Sequence, residues 1–404
     1  MSFPSAKTED HMTGAARADI RVRAAGSPLH VRRYSGLEEL PESFLKLFEE
    51  AGRQSVFLTL PWFQNFIQTA LSTGDRVRIY GAAAAGTQAT PAGMLLMRSS
   101  SKSNSIFSPR KLEALANYYS CFYAPHLAVS ASKSPETLLA LARAIAQEKP
   151  RWDAVEVNPL DVHSREFPEL VEAFKVAGFI VQTFFSFGNW YLHVNGRSFA
   201  QYSENLPSVL KNTLNRKRRR LEKTGRAKIE IVTGGPGLDA AIDGYMKVYL
   251  SSWKRPEPYP QFVPGLIRMC AALGALRLGI IYVDGEPAAA QLWIVHHGNA
   301  LIYKLAYDER FGELSVGTIL SATLFQHVLD EDKVSQVDYL SGDDAYKKDW
   351  MSDRRERWGI LALNPRTPRG VLAIARHVGG RALKRASLSL ATPFQRGKSR
   401  DSAA

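Results

Sequence analysis

The segment VDYLSGDDAYKKDW, residues 337–350, gathers groups that can move protons. Tyr346 and Lys347 set a phenol beside an ammonium, a pair able to protonate a leaving group and to stabilise a developing oxyanion. Asp338 stands in the preceding strand-like run and Gly342 at its end, and strands that stop at such a point beside a helix start often line a cleft. On the residues alone, a solvated helix face with a salt bridge accounts for the same pattern. A second candidate is ELSVGT, residues 313–318. There Ser315 can cap, Gly317 admits close backbone approach, and the first-turn N–H groups of a helix form a seat for phosphate or pyrophosphate. An ordinary capped helix start is the alternative. Third, Lys211, Arg216, Lys217, Arg218, Arg219, Arg220 and Lys223 crowd one helix; five consecutive cations cover every side of it, so one must face protein or ligand.

These groups need elements to hold them, and the chain alternates strand and helix patterns. The spacing predicts helices over Leu37–Ala51, from Thr59 as N-cap through Pro61 to Leu71, over Ser134–Lys149, and to a stop at Gly178. Strand patterns fall at VRIYGAAA, PAGMLLMRS and WDAVEVNPL, with a polar connection, SSSKSNSIFSPRK, between the second and third. The second half repeats this grammar. A basic helix, Leu206–Lys223, ends at Gly225, and a helix through Leu238, Ile242, Tyr245 and Tyr249 reaches Trp253. LRLGIIYVDG, EPAAAQLWIVHHGN and ALIYKLAYD then form an antiparallel meander with turns at Asp284-Gly285 and Gly298-Asn299. The helix TILSATLFQHVLDE, the strand QVDYLSG and the short helix DDAYKKDW follow. The class is mixed α/β, α+β in the arrangement of its strands.

Composition excludes several alternatives. The chain has 404 residues with 45% hydrophobic and 23% charged, which is globular composition. Two cysteines, Cys121 and Cys270, make no disulfide framework, and neither they nor His296-His297 have the spaced partners of a metal site. No signal-type apolar core opens the chain and no stretch is long enough to span a membrane, so a cytoplasmic setting is expected. No Walker motif, GxGxxG or GxSxG is present. The formal charge of +13 is local: residues 211–228 and 366–404 each carry nine Lys/Arg against one acid. Each stretch is net +8, which leaves −3 for the rest. In the tail, Val371, Leu372, Ile374, Val378, Leu383 and Leu388 interleave with cations, as in an interfacial amphipathic helix, although Gly379-Gly380 would break it. The tail reads as docked or disordered, or as a peripheral contact with the inner face of the membrane.

Taken with LNRKRRRLEKTG, LRLGIIYVDGEPAAAQLWIV, ALIYKLAYDERF and SVGTILSATLFQHVL, the 337–350 segment resembles the GNAT-type acyltransferases. The branch is the one related to cellulose-biosynthesis-associated (CelD-like) acetyltransferases and Fem-type peptidyltransferases. The resemblance covers residues 200–360, and SVFLTLPWFQNF with YYSCFYAPHL is similar to the N-terminal half of the same group. It implies tandem GNAT-like domains, each a largely antiparallel mixed sheet flanked by helices: a disordered 1–28, a degenerate domain over 29–190, the acyltransferase domain over 191–365 and a basic tail over 366–404.

It further implies acyl transfer from acyl-CoA, as co-substrate and without metal, to an amine. Ser315, Val316, Gly317 and Thr318 would hold the pyrophosphate. Family members often carry Ser-Pro-Gly where this chain has Ser315-Val316-Gly317. Lys347 would stabilise the oxyanion or a phosphate, Tyr346 would act as acid to the thiolate, and Asp338 would orient the amine or take its proton. Trp253, Gln291, Tyr303 and Asp308 would face the acceptor side. The expected acceptor is a small-molecule or glycan amine, such as an amino sugar of envelope or exopolysaccharide synthesis. Two other readings remain: a Fem-like transferase using aminoacyl-tRNA, with the basic helix as tRNA contact, and an inactive GNAT-like binding module.

Overall fold

The computed structural model describes residues 19–21, 29–84, 90–100, 108–128 and 134–377. Strands β1 (Asp19–Arg21), β2 (Leu29–Tyr34), β3 (Arg76–Ala84), β4 (Pro91–Ser99), β5 (Lys111–Ala114), β6 (His126–Leu127), β7 (Ala154–Asp161) and β8 (Ile180–His193) belong to the first half. With them run helices α1 (Glu42–Gly52), α2 (Leu60–Ala70), α3 (Ser134–Gln147) and α4 (Glu166–Val176). The second half holds α5 (Phe199–Ser203), α6 (Ser208–Thr224), β9 (Ala227–Val232), α7 (Leu238–Leu250), α8 (Phe262–Ala272), β10 (Leu276–Val283), β11 (Glu286–His296), β12 (Asn299–Tyr307), α9 (Val316–Asp330), β13 (Gln336–Asp338) and β14 (Asp353–Leu363).

All strands join one sheet in the order β1-β2-β3-β4-β5-β7-β14-β8-β13-β12-β11-β10-β9, with β6 on β4. The order is symmetric about its middle. In each half an antiparallel meander leads through a helix, α3 or α9, to a strand parallel to the last one, β7 on β5 and β13 on β12. A parallel neighbour requires such a crossover. Each half then sends one long strand into the other: β8 pairs with β13, and β14 pairs with β7, while β8 and β14 pair with each other. Residue 190, where the expected domain division lies, falls inside β8.

Local chemistry explains most element ends. Thr59 accepts a hydrogen bond from the Trp62 amide, with Pro in the first turn of α2. Gly225 closes α6 in the left-handed region at φ 62°, where a Cβ would be strained. Asp284-Gly285 and His297-Gly298 all have positive φ, the geometry of the two-residue turns that match strand twist. The second hairpin therefore turns one residue earlier than Gly298-Asn299.

Other expectations shift for physical reasons. Pro41 separates a single turn, Leu37–Glu39, from α1, since proline has no N–H to continue the ladder. Trp253 lies past the end of α7, and Ala345–Asp349 is a 3-10 turn. Within the stretch expected to be disordered, Asp19–Arg21 pairs with β2. Residues 1–18, 22–28, the polar connection over 101–107 and the tail over 378–404 lie outside the described residues. The tail's first part, 368–377, is helical, and Ala373 and Ile374 pack on Ala154, Leu361 and Leu363. Among the described residues no helix is long and apolar enough to cross a membrane.

Candidate active site

The fork where β12 and β13 part around the start of α9 opens a cavity of about 440 Å³, walled by Trp253, Tyr307, Gly317, Thr318, Tyr346 and Trp350 among others. Ser315, with φ 56° and ψ 36°, turns the chain into α9 and makes no side-chain cap. The first-turn amides of Val316, Gly317 and Thr318 therefore have no capping acceptor from that side chain, and the positive end of the helix faces the opening. Lys217 from α6 donates to the carbonyl of Glu313, placing one of the five consecutive cations beside this turn. A Cβ at Gly317 would meet only Tyr307, at 3.5 Å. That is ordinary van der Waals contact, so packing does not require a glycine there.

Gln291, expected to face an acceptor, lies beneath this turn at 2% exposure. Its Nε2 donates to the Gly317 carbonyl and to Ser321 Oγ, both at 2.9 Å, and its Oε1 accepts from Trp293 Nε1 at 3.0 Å. Every polar atom is used to fix the start of α9. Gln291→Leu is expected to cost about 1–3 kcal/mol, because it strands the buried Trp293 donor. Urea unfolding of the variant would measure the loss; an unchanged midpoint would remove Gln291 from that role.

A second cavity, of about 260 Å³, continues from the first and shares Lys254, Leu305, Tyr339, Asp344 and Tyr346 with it. Both halves build it, since Tyr118 and Tyr119 come from the first and Lys304 from β12. Glu257 ties them together: Oε1 accepts from Lys304 Nζ at 2.7 Å, and Oε2 from the Tyr118 and Tyr119 hydroxyls at 2.8 and 2.7 Å. Burial alone would raise this carboxyl, but the donors, Lys304 foremost, outweigh it and hold it down to about 2. Lys254 sits at the junction of the two cavities, its ammonium 5.7 Å from the Trp253 ring centre and 6.0 Å from that of Tyr249. Burial, and then the charge of Lys304, pushes Lys254 down to about 8. Neither Lys254 nor Glu257 stood out in the sequence; the only signal was their place between Trp253 and the next helix.

Of the residues expected to act, Tyr346 faces both cavities at 46% exposure. Burial, with Asp344 behind it, pushes its phenol up to about 12, so it keeps its proton at neutral pH. Lys347 is 4% exposed, and its ammonium is committed to the carbonyls of Ser341 at 2.5 Å, Gly342 at 3.3 Å and Tyr339 at 3.5 Å. With Asp344 Oδ2 at 3.3 Å as well, the side chain staples the 339–344 loop. Asp338 is not with them. It faces a different cavity, where Oδ1 accepts from Asn189 Nδ2 and the Leu340 amide, each at 2.6 Å, and Oδ2 is paired with Arg355.

Tyr303 lines the second cavity, but its hydroxyl donates to the Tyr119 carbonyl at 3.0 Å. Asp308 caps the turn after β12 through the Arg310 amide at 2.9 Å, and Arg310 holds it below the usual carboxylate range. Trp253 packs against Tyr307 in the first cavity, their ring centres 4.7 Å apart and their planes tilted by 48°. Burial pushes both the Cys121 and Cys270 thiols up, which suits neither to nucleophilic attack.

At the start of its own helix the first half has a smaller cavity, of about 200 Å³, lined by Ser134, Arg165 and Glu166 among others. Where α3 begins, Ser134 Oγ donates to Glu169 Oε2 at 2.5 Å. A carboxylate of the chain already stands at that positive helix end, so a phosphate there would meet like charge.

Residues 208–348 match the family model described as Acetyltransferase (GNAT) domain. Among solved structures, the crystal structure of FemX is similar over 76% of this chain and 92% of its own, at 11% identity and a TM-score of 0.51. A tandem GNAT protein from the clavulanic acid biosynthesis pathway aligns over 84% of this chain and 100% of its own, at 12% identity and a TM-score of 0.49. The C-terminal domain of a putative lysylphosphatidylglycerol synthetase from Agrobacterium fabrum aligns over 71% of this chain and 85% of its own, at 13% identity and a TM-score of 0.45. A comparison of the sequence with curated proteins found no match. The chain shares the fold of FemX, and the match to the GNAT acetyltransferase domain lies in the half that carries the open α9 start.

Proposed function

We propose that the chain is an acyl-CoA-dependent N-acyltransferase whose acceptor is an amine, with an amino sugar of envelope or exopolysaccharide synthesis as the expected class. One observation carries this reading. The uncapped start of α9 and the Glu257–Lys304–Tyr118–Tyr119 cluster open into adjoining cavities, with Lys254 and Tyr346 at the junction. Acyl-CoA supplies a thioester, which a neutral amine attacks once the two are aligned; alignment alone is worth about 7–11 kcal/mol of barrier.

The geometry supports a division of labour. The Val316–Thr318 amides hold the pyrophosphate, with Lys217 beside them. Tyr346 donates its proton to the departing sulfur. Lys254 takes the proton of the incoming ammonium, which a group near pKa 8 can do at neutral pH. The Tyr118 and Tyr119 hydroxyl oxygens, whose protons go to Glu257, offer acceptors and the Lys304 ammonium a donor beside aromatic faces, a lining suited to a hydroxylated amine. Calorimetry with acetyl-CoA tests the reading: 1:1 binding in the micromolar range supports it, and no saturable heat overturns it.

The basic face of α6, with Arg216, Arg219, Arg220 and Lys223 along an open groove of about 850 Å³, favours the aminoacyl-tRNA reading as the second choice. Preference for charged over uncharged tRNA would promote it above the first. The inactive-module reading predicts neither response.

A further inference from the structure

We propose that the chain binds a small oxyanion-bearing molecule, a carboxylate or phosphate, in a third cavity at the joint of the two halves. This cavity, of about 290 Å³, is enclosed by the loop after α1 and by residues of β7, β8, β12, β13 and β14. The two strands that cross between the halves therefore both contribute to its wall. Its size sits near the lower end of the range for small-molecule sites.

Arg355 and Arg357, two apart on β14, present their guanidiniums to the same side of the strand. Arg355 is satisfied at two of its nitrogens: Nη2 pairs with Asp338, and Nε donates to Asn189 Oδ1 at 2.7 Å. Arg357 is different. It is 6% exposed, and its Nη1 lies 2.9 Å from Asp161 Oδ2, yet neither Nε nor Nη1 has a hydrogen-bond partner. Asp161 and the Phe122 ring, 4.9 Å away, balance its charge, but a buried N–H left without an aligned acceptor is costly.

The cavity's own carboxylates do not remove that cost. Asp338 is spent on Asn189, Leu340 and Arg355, and Asp161 is misaligned. What the site has to spare is donor capacity, from Arg357 and from the Gln54 and Gln336 amides around it. A guanidinium fork ringed by amides matches a planar carboxylate or a phosphate.

Cys121 and Leu340 are common to this cavity and the second one of the active site. An occupant would lie directly behind the acceptor, between strands that set how the halves meet.

The test is calorimetry of the full chain at fixed ionic strength with two probes, inorganic phosphate and L-glutamate. At least one should bind saturably at 1:1, with phosphate alone pointing to a phosphorylated ligand and glutamate alone to a carboxylate. Arg357→Gln and Gln336→Phe should each weaken that binding at least tenfold while leaving acetyl-CoA binding unchanged. Gln336→Phe fills the cavity without touching either guanidinium, so it decides the matter if the arginine variant does not fold. Absence of saturable heat with both probes overturns the proposal. So does phosphate binding that survives Gln336→Phe, since it would then belong to the start of α9.

Discussion

Lys254→Met is expected to lower kcat for acetyl transfer by about a hundred- to ten-thousand-fold while leaving the KM for acetyl-CoA close to the wild-type value. The split follows from position, because Lys254 touches the junction of the two cavities and not the turn that would hold the pyrophosphate. A pH profile separates proton transfer from simple charge. Wild-type kcat/KM should rise with pH and level off above about 8, where Lys254 loses its proton. Lys254→Arg keeps the charge but cannot deprotonate, so it should be as slow as Lys254→Met if the residue is a base. If the arginine variant keeps most of the rate, Lys254 acts as a fixed cation and the base lies elsewhere.

Loss of fold would not mimic this outcome. Lys254 has its folded pKa lowered from about 10.5 to about 8, so folding disfavours its charged form. That cost is present in full below pH 8 and disappears as pH rises from about 8 toward 10.5. Removing the charge should leave the protein at least as stable at pH 7, and a melting curve run beside the kinetics checks it.

The sequence made the second half far more legible than the joint between halves. Asp284-Gly285, the caps at Thr59 and Gly225, and the helical stripe of α7 are local signals, each decided by a few neighbouring residues. β8 and β14 went unread because their partners lie across the chain. IVQTFFSFGNWYLH is aromatic and polar along most of its length and only partly buried, so it shows no clean alternation. Its pairing with β13 and β14 is a long-range fact.

The same cause misplaced several site residues. Asp338 and Lys347 are near each other in sequence, but Leu340 at φ 56° and Gly342 at φ 105° turn the chain between them, and the two carry their charges to different cavities. Gln291 and Asp308 fell at positions suggestive of an acceptor site, yet their hydrogen bonds go to α9 and to the Arg310 turn. Glu257 and Tyr119 meet across 138 positions, a proximity no spacing rule reveals.

Thr318→Glu should weaken acetyl-CoA binding by about 10- to 100-fold and leave the melting temperature unchanged or slightly higher. The two signs are opposite for one reason. A carboxylate in the first turn of α9 interacts favourably with the positive helix end, by about 0.3–1 kcal/mol. That stabilises the free protein. The same carboxylate occupies the field that would hold a pyrophosphate, and the charge-assisted hydrogen bonds at stake are worth about 1.5–3 kcal/mol. Thr318 is half-buried beside the first cavity, so the longer side chain can reach the uncapped amides. In the first half, the contact of Ser134 with Glu169 already shows how a carboxylate sits at such a helix start. Calorimetry and a thermal melt on the same sample read both quantities, and the affinity loss should shrink as salt rises, since repulsion between partly exposed charges is screened. Unchanged affinity would remove the start of α9 as the pyrophosphate seat. A parallel fall in affinity and stability would mean that the substitution disrupts α9 and that the helix end is not an open anion site.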